Sequence, residues 1–341
     1  MAITLKDIAK IAGVSESTVS RCLNDNPLVS KKTMSRVKKI AEDCNFQCNI
    51  NARNLVNKKT KRIGIIFPDG FYKFNMRDFF SSLEEHLIKG VEEQDYEAVV
   101  YTLNSRSCIK SNIKKLTNGR EVDGLLIACR DIPVEDIEAL KRNKIPHTLV
   151  YYKPNKYWGS MKLFTNDNVH SGYLATEYLI ENGCKKIATI TSDNKKLKNY
   201  SQRTIGYLKA IREFKLKIDK DYIMKDIMDF KTGERLAFEK VSFFKTIDGV
   251  FCQQDKVALG LIKGLIKQGF SIPEDISVIG HDNLEIVDFF DPKLTTVQQP
   301  FKNICQNAVI DLFDQINGVD KKVRRIFKSN IIERETVKTN F

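Results

Sequence analysis

Tryptophan and histidine are scarce in this chain: among 341 residues there is one Trp, Trp158, and there are four His. His86, His147, His170 and His281 are dispersed, and none falls in a recognisable nucleophile motif. The fingerprints of common chemistries are missing too: no Walker loop, no glycine-rich dinucleotide turn, no His-Glu-x-x-His and no nucleophile elbow. No catalytic set is expected, and therefore no enzyme and no cofactor. Uninterrupted apolar runs approaching the ~18 residues of a membrane span are lacking, so no membrane partner is expected. Met1-Ala2-Ile3-Thr4-Leu5-Lys6-Asp7 has no apolar stretch behind a basic start, which argues against secretion and for a cytoplasmic protein. The eight cysteines show no paired spacing, as for reduced thiols. Cys44 and Cys48 lie four apart without a nearby His or third Cys, so core packing is expected of them and metal is not.

Positive charge, by contrast, is abundant and unevenly spread. The net charge is +13, and residues 1–62 hold nine Lys and four Arg against three Asp and two Glu, a net +8. An excess concentrated in less than a fifth of the chain fits a polyanion contact at one end; a merely basic, soluble surface gives the same sum.

The first 46 residues read as three short helices. Thr4 and Asp7 have the spacing of a capping box, and Leu5, Ile8, Ala9 and Ala12 follow at helical period before Gly13 supplies a turn. Ser15 can cap a second helix with Val19, Cys22 and Leu23 inward. Its other face carries Glu16, Ser17, Ser20, Arg21 and Asn24, all able to bond base edges or phosphates. Ser30 can cap a third, basic helix with Met34, Val37, Ile40, Ala41 and Cys44 inward. Two helices around a Gly turn with a basic third describe a helix-turn-helix unit, though any small three-helix bundle shares the pattern. Arg21 suits guanine O6 and N7, and Glu16 can accept from a cytosine amino group. In Cys48–Leu55 a helix is too short to be stable alone. Leu55, beside Arg53, can wedge between base steps in a minor groove, and the same segment also reads as a flexible linker.

After Arg62 the rhythm changes to short apolar runs between amphipathic stretches, beginning Ile63-Gly64-Ile65-Ile66-Phe67. Such runs predict parallel strands covered on both faces. Val122-Asp123-Gly124-Leu125-Leu126 is echoed by Ile247-Asp248-Gly249-Val250-Phe251, which predicts two doubly wound subdomains with a cleft between them. Ligands bind beyond the carboxyl ends of strands in such sheets. Gln253, Gln254 and Asp255 follow one run, His281, Asp282 and Asn283 another, and Arg203 lies beyond a third. An Arg with an Asp can hold a polyhydroxylated or heteroaromatic molecule; each alone reads equally as a cap or a surface charge.

Thr4-Leu5-Lys6-Asp7-Ile8-Ala9, Ala12-Gly13-Val14-Ser15, Ser17-Thr18-Val19-Ser20-Arg21 and Ala52-Arg53-Asn54-Leu55 resemble the head and hinge of the lac repressor/gal repressor family. The body resembles the same family at Asp167-Asn168 through Gly172, Arg203-x-x-Gly206, Gly280-His281-Asp282-Asn283, Thr295-Thr296-Val297-Gln298-Gln299-Pro300 and Glu333-Arg334-Glu335-Thr336. The resemblance implies an all-α helix-turn-helix head on an α/β body of two parallel-sheet subdomains, like periplasmic binding proteins. Domains are expected at 1–46 (DNA-binding), 47–60 (hinge helix and linker) and 61–341 (effector binding and dimerisation). It implies base contacts from Glu16, Ser17 and Arg21 and minor-groove insertion of Leu55, with Ser15, Ser20, Asn24, Asn49 and Arg53 completing the DNA-facing set. Effector contacts are implied for Arg203 and Asp282, then Phe74, Phe230, Gln254 and Gln299. The implied partners are a near-palindromic operator, a second copy of the chain and a small effector: a sugar or sugar phosphate, or a nucleobase. Cys48 stands where the family usually has proline, and Gln254 where it usually has Asn.

Overall fold

The computed structural model describes residues 3–23, 26–44, 46, 59–72, 74–104, 111–153, 162–319 and 325–339, the side chains of 74–76 apart. Asn24, Cys48, Asn49, Arg53, Leu55, Trp158 and the Phe74 side chain, all named above, lie outside the described residues. The chain divides into two compact units, residues 1–61 and 62–341.

In the first unit, α1 (Leu5–Ala12) opens on the capping box. Thr4 Oγ1 accepts the Asp7 N–H, and the Asp7 carboxylate accepts the Thr4 N–H at 2.9 Å. Gly13 ends the helix at φ 63°, a left-handed conformation that glycine adopts without steric cost. Helix α2 (Glu16–Leu23) starts behind Ser15, whose hydroxyl accepts the Thr18 N–H at 3.2 Å. Helix α3 (Lys31–Asp43) starts behind Ser30, which accepts from Thr33. Ile8, Ala9, Ala12, Val19, Cys22 and Val37 form the shared core, with Met34, Ile40 and Cys44 packed at its edge.

The second unit is built from two sheets. Its first half runs β1 (Arg62–Phe67), α4 (Phe74–Glu92), β2 (Glu97–Thr102), α5 (Asn112–Gly119), β3 (Gly124–Ile127), α6 (Val134–Arg142), β4 (His147–Val150) and β5 (Leu163–Asn166). The second runs α7 (Asn168–Glu181), β6 (Ile187–Ser192), α8 (Lys198–Glu213), β7 (Ile223–Asp226), α9 (Phe230–Glu239), β8 (Gly249–Cys252), α10 (Asp255–Lys267), β9 (Ser277–Asp282) and β10 (Thr296–Gln298). Helix α11 (Phe301–Ile316) then packs against α4 and the first sheet, β11 (Ile326–Phe327) joins that sheet, and β12 (Asn330–Ile332) joins the second.

Strand order is β11-β5-β4-β3-β1-β2 in one sheet and β12-β10-β9-β8-β6-β7 in the other, so β3 and β8, which carry the echoed Asp-Gly, occupy equivalent places. Both faces are covered, which is why β1 is buried from its second residue onward. Ile63, Ile65 and Phe67 face α4 and α11, while Ile66 turns to the opposite layer with Leu125 and Ile127. One pairing departs from the parallel expectation: β10 and β12 are antiparallel. Among the described residues the backbone crosses between halves three times, at 166–168, 298–301 and 327–330. No helix among the described residues is long and apolar enough to cross a membrane.

Candidate functional site

On the head, Ser15, Glu16, Ser17, Ser20 and Arg21 are all exposed, while Val19 and Cys22 on the same helix are buried. Positions 16, 17, 20 and 21 share one face of α2, so the helix offers water a carboxylate, two hydroxyls and a guanidinium. Ser15 differs in role: its hydroxyl also contacts Ser17 Oγ and Thr18 Oγ1 at 2.8 Å, which makes it a cap first.

In the body, a cavity of about 440 Å³ lies between the halves. The first half lines it with Phe79, Phe80, Arg130, Tyr151 and Tyr152, and the second with Tyr200, Arg203, Gln254 and Asp282. Arg203, in the second turn of α8, is buried. Its Nε donates to Asn168 Oδ1 at 3.0 Å and one terminal nitrogen donates to the Gln253 carbonyl at 2.6 Å. The two helices involved touch through glycine. A Cβ on Gly172 would stand 2.0 Å from the Arg203 carbonyl oxygen, and one on Gly206 2.0 Å from that of Val169. The Arg203-x-x-Gly206 spacing is thus a packing device that seats the guanidinium.

Asp282 is held as firmly. His281 Nδ1 lies 2.8 Å from its Oδ1, and Gln299 Nε2 donates to the same oxygen at 2.6 Å. The Asp282 backbone sits at φ 124°, a region unfavourable for a residue with a Cβ, and is stabilised from both sides. The Asp255 carboxylate accepts from Leu284 N and Thr296 Oγ1, while Arg334 bonds Asn283 Oδ1 and the Leu294 carbonyl and pairs with Asp288. The Glu333–Thr336 motif therefore braces the turn after Asp282. Burial, then the Arg203 charge, pushes the His281 ring down to about 4, so it is neutral at pH 7 and donates from Nδ1. Burial and the Asp282 charge hold the Asp255 carboxyl well above the usual range.

Gln299 does not line the cavity; it is a buried relay. Its Oε1 accepts from Tyr151 OH and, at 3.1 Å, from Asn166 Nδ2. Ser329 Oγ donates to Asn166 Oδ1 at 3.0 Å. Asn166, Gln299 and Ser329 sit one on each of the three crossings, so a single buried network joins Asp282 to the hinge. Phe230 is also absent from the lining: it opens α9 and packs near Phe290 and Lys263. Gln254 does line the cavity, and its Oε1 is buried without a hydrogen-bond partner among the described residues.

Sequence reasoning did not single out Arg130, Tyr152 or Tyr200 here. Arg130 and Tyr152 follow the ends of β3 and β4, where the strand-end rule would find them, and Arg130 lies 4.9 Å over the Tyr152 ring. Tyr200 is one turn before Arg203, which stands 5.1 Å over its ring. Phe79 and Phe80 carried no such signal, since nothing in the pattern of α4 tells which aromatics face a cavity.

A relative from Vibrio atlanticus, an HTH-type transcriptional repressor PurR, is 33% identical over 339 residues, 98% of this chain and 99% of its own. The chain belongs to the lacI family of bacterial regulatory proteins. Residues 4–49 match the profile of that family's DNA-binding head, and residues 176–337 match a periplasmic binding protein-like domain. A PurR repressor of Histophilus somni is 32% identical over 98% of this chain and 99% of its own. Among solved structures, a LacI family regulator from Enterococcus faecium with bound ribose is 26% identical over 81% of this chain and 98% of its own, with TM-score 0.67. The lac repressor dimer bound to operator and an anti-inducer has the same fold, at TM-score 0.80 and 21% identity over 98% of this chain and 99% of its own. The chain is a DNA-binding transcriptional repressor of this family with an effector-binding body.

Proposed function

We propose that the chain works as a cytoplasmic homodimer, without catalytic activity, whose grip on a near-palindromic operator is set by a small molecule in the body's cleft. Glu16, Ser17, Ser20 and Arg21 read the major groove, with Ser15 fixing the start of the recognition helix and Asn24 beside it. Asn49 and Arg53 hold the hinge segment to the phosphates while Leu55 of each copy pries open a central step. The effector is a sugar or sugar derivative, bound by Arg203 and Asp282 beside Gln254, with Gln299 holding Asp282 in place. Ring stacking on the effector suits the aromatic wall around Tyr152. One observation carries this reading: two oppositely charged side chains are buried at the same cavity, each locked by its neighbours, and one continues by hydrogen bonds into all three crossings. An occupant that favours one arrangement of the halves thereby biases the hinge, at about 1–3 kcal/mol of coupling.

The head is tested by selecting a duplex that the chain prefers over random DNA and measuring its affinity for variants. Arg21→Ala is expected to weaken the selected duplex by about tenfold or more while leaving random DNA little changed. Leu55→Ala is expected to weaken it strongly with effector affinity intact. Equal loss on both duplexes for Arg21→Ala would overturn base reading by this helix, and an unchanged Leu55→Ala would overturn the wedge.

A further inference from the structure

One ion pair joins the two halves of the body away from the backbone crossings. Lys256, the second residue of α10, places Nζ 2.8 Å from a carboxylate oxygen of Asp78 on α4. Among the ion pairs formed between described residues, it is the one that spans the halves. Its ends stand in different surroundings: Lys256 is buried, and Asp78 is exposed.

The ammonium is costly where it stands. Burial strips its hydration, and the first turn of a helix carries a positive partial charge that repels a cation. The neighbouring Asp255 has both carboxylate oxygens engaged, one by Thr296 Oγ1 and one by Leu284 N at 2.9 Å. Asp78 supplies counter-charge from the opposite half. Beside the pair lies a space of about 450 Å³, lined from α4 by Asp78, Ser82 and Glu85 and from the second half by Leu284, Glu285 and Phe289. Both walls carry acid, and the described lining holds no cation, so like charges oppose closing there. The attraction between Lys256 and Asp78 acts at the edge of that space.

Both arms of the pair belong to walls of the effector cleft. Asp78 precedes Phe79 and Phe80, which line the cavity, and Lys256 stands two residues after Gln254, which lines it from the other side. Asp255 ties the start of α10 to Leu284, two residues past Asp282. We infer that Lys256–Asp78 is a latch, an ion pair that sets how far the two walls of the cleft stand apart and that breaks when they separate. The latch stands on these contacts alone; its effect on the operator rests on the cleft being the effector site.

The latch is tested on the full chain by pulsed electron resonance between nitroxides on a ketone-bearing residue at positions 81 and 289. These are exposed positions on opposite walls of the adjoining space, and the labelled chain is diluted with unlabelled chain. Asp78→Asn and Lys256→Gln are each expected to broaden the distance distribution and move its mean outward by about 2 Å or more. The exchange Asp78→Lys/Lys256→Asp is expected to bring it back. Raising salt from about 0.05 M to about 1 M, where screening acts within about 3 Å, is expected to widen the wild-type distribution and leave Asp78→Asn unmoved. Asp78→Asn changes an exposed side chain, so the test stands even where Lys256→Gln fails to fold. Unchanged distributions in Asp78→Asn, or a broadening that neither salt reproduces nor the exchange relieves, would overturn the latch. Affinity for the selected duplex separates the second layer: it is expected to change about threefold or more in Asp78→Asn, with random DNA unaffected. A wider cleft with unaltered duplex affinity would confirm the latch and count against control of the operator by the cleft.

Discussion

The two halves of the body share a strand order yet meet the cleft with different materials. The second half offers charge fixed in place: Arg203 bonded to Asn168 and Gln253, and Asp282 bonded to His281 and Gln299. The first half offers an aromatic wall in which Phe79 contacts Tyr151, Tyr152 and Phe301 ring to ring, with Arg130 laid over Tyr152. Directional bonds demand a rigid frame, and the second half has one in its glycine-mediated helix contacts. Ring faces tolerate small shifts, so the first half needs no such frame. A duplicated fold has thus brought fixed charge from one half and ring faces from the other to a single cavity.

That division can be broken most forcefully through glycine. Gly172→Ala places a methyl 2.0 Å from backbone, which cannot give, and is expected to destabilise the body by about 3 kcal/mol in denaturant titrations. Gly64→Ala in the first half meets the end of the Leu125 side chain at 2.6 Å, which can rotate, and is expected to cost about 1 kcal/mol. Equal costs would contradict the view that the second half is the stiffer frame.

Ligand affinity should divide the same way. Asp282→Ala is expected to weaken an effector by about 100-fold, since it removes a charged partner and leaves Gln299 and His281 without their acceptor. Tyr152→Leu is expected to cost about tenfold or less in the same calorimetric measurement. A larger effect at Tyr152 would reverse the assignment of roles.

A further effect is electrostatic. The folded-state value of His281 is depressed, so an unfolded chain gains a proton below about pH 6.5 that the folded chain refuses until about pH 4. Stability contributed by the neutral ring is therefore lost as pH falls through that window, about 2 kcal/mol by pH 5. Asp255, whose carboxyl is raised, works in the opposite direction over the same range. The informative quantity is the difference between wild type and His281→Asn. Their stability curves should converge toward acid pH by that amount, and parallel curves would contradict a neutral buried imidazole.

Much of this was legible in the chain because it rests on local rules. The Thr4–Asp7 box, the Gly13 turn and the Ser15 and Ser30 caps are decided within a few residues. The buried strands announced themselves as continuous apolar runs, and the Asp-Gly echo at 123–124 and 248–249 marked the duplication. Strands β10 to β12 are too short to show a period and exist through pairing across the fold. Site readings shifted too, Phe230 packing near Phe290 and Lys263 away from the cavity lining. His281 and Asp282 are the last residues of β9 rather than part of the loop beyond it, and Gln299 acts on Asp282 rather than lining the cavity. The network from Asp282 through Gln299 and Asn166 to Ser329 joins positions more than 160 residues apart, which no local pattern encodes.

The most direct test is the operator affinity of the full chain, measured with and without a ligand that stabilises the body, in wild type and in Asp282→Asn. Coupling between cleft and operator predicts a change of about 5- to 150-fold on ligand addition in the wild type, in one consistent direction, and none in the variant. A ligand that binds the cleft through Asp282 yet leaves operator affinity unaltered would contradict it.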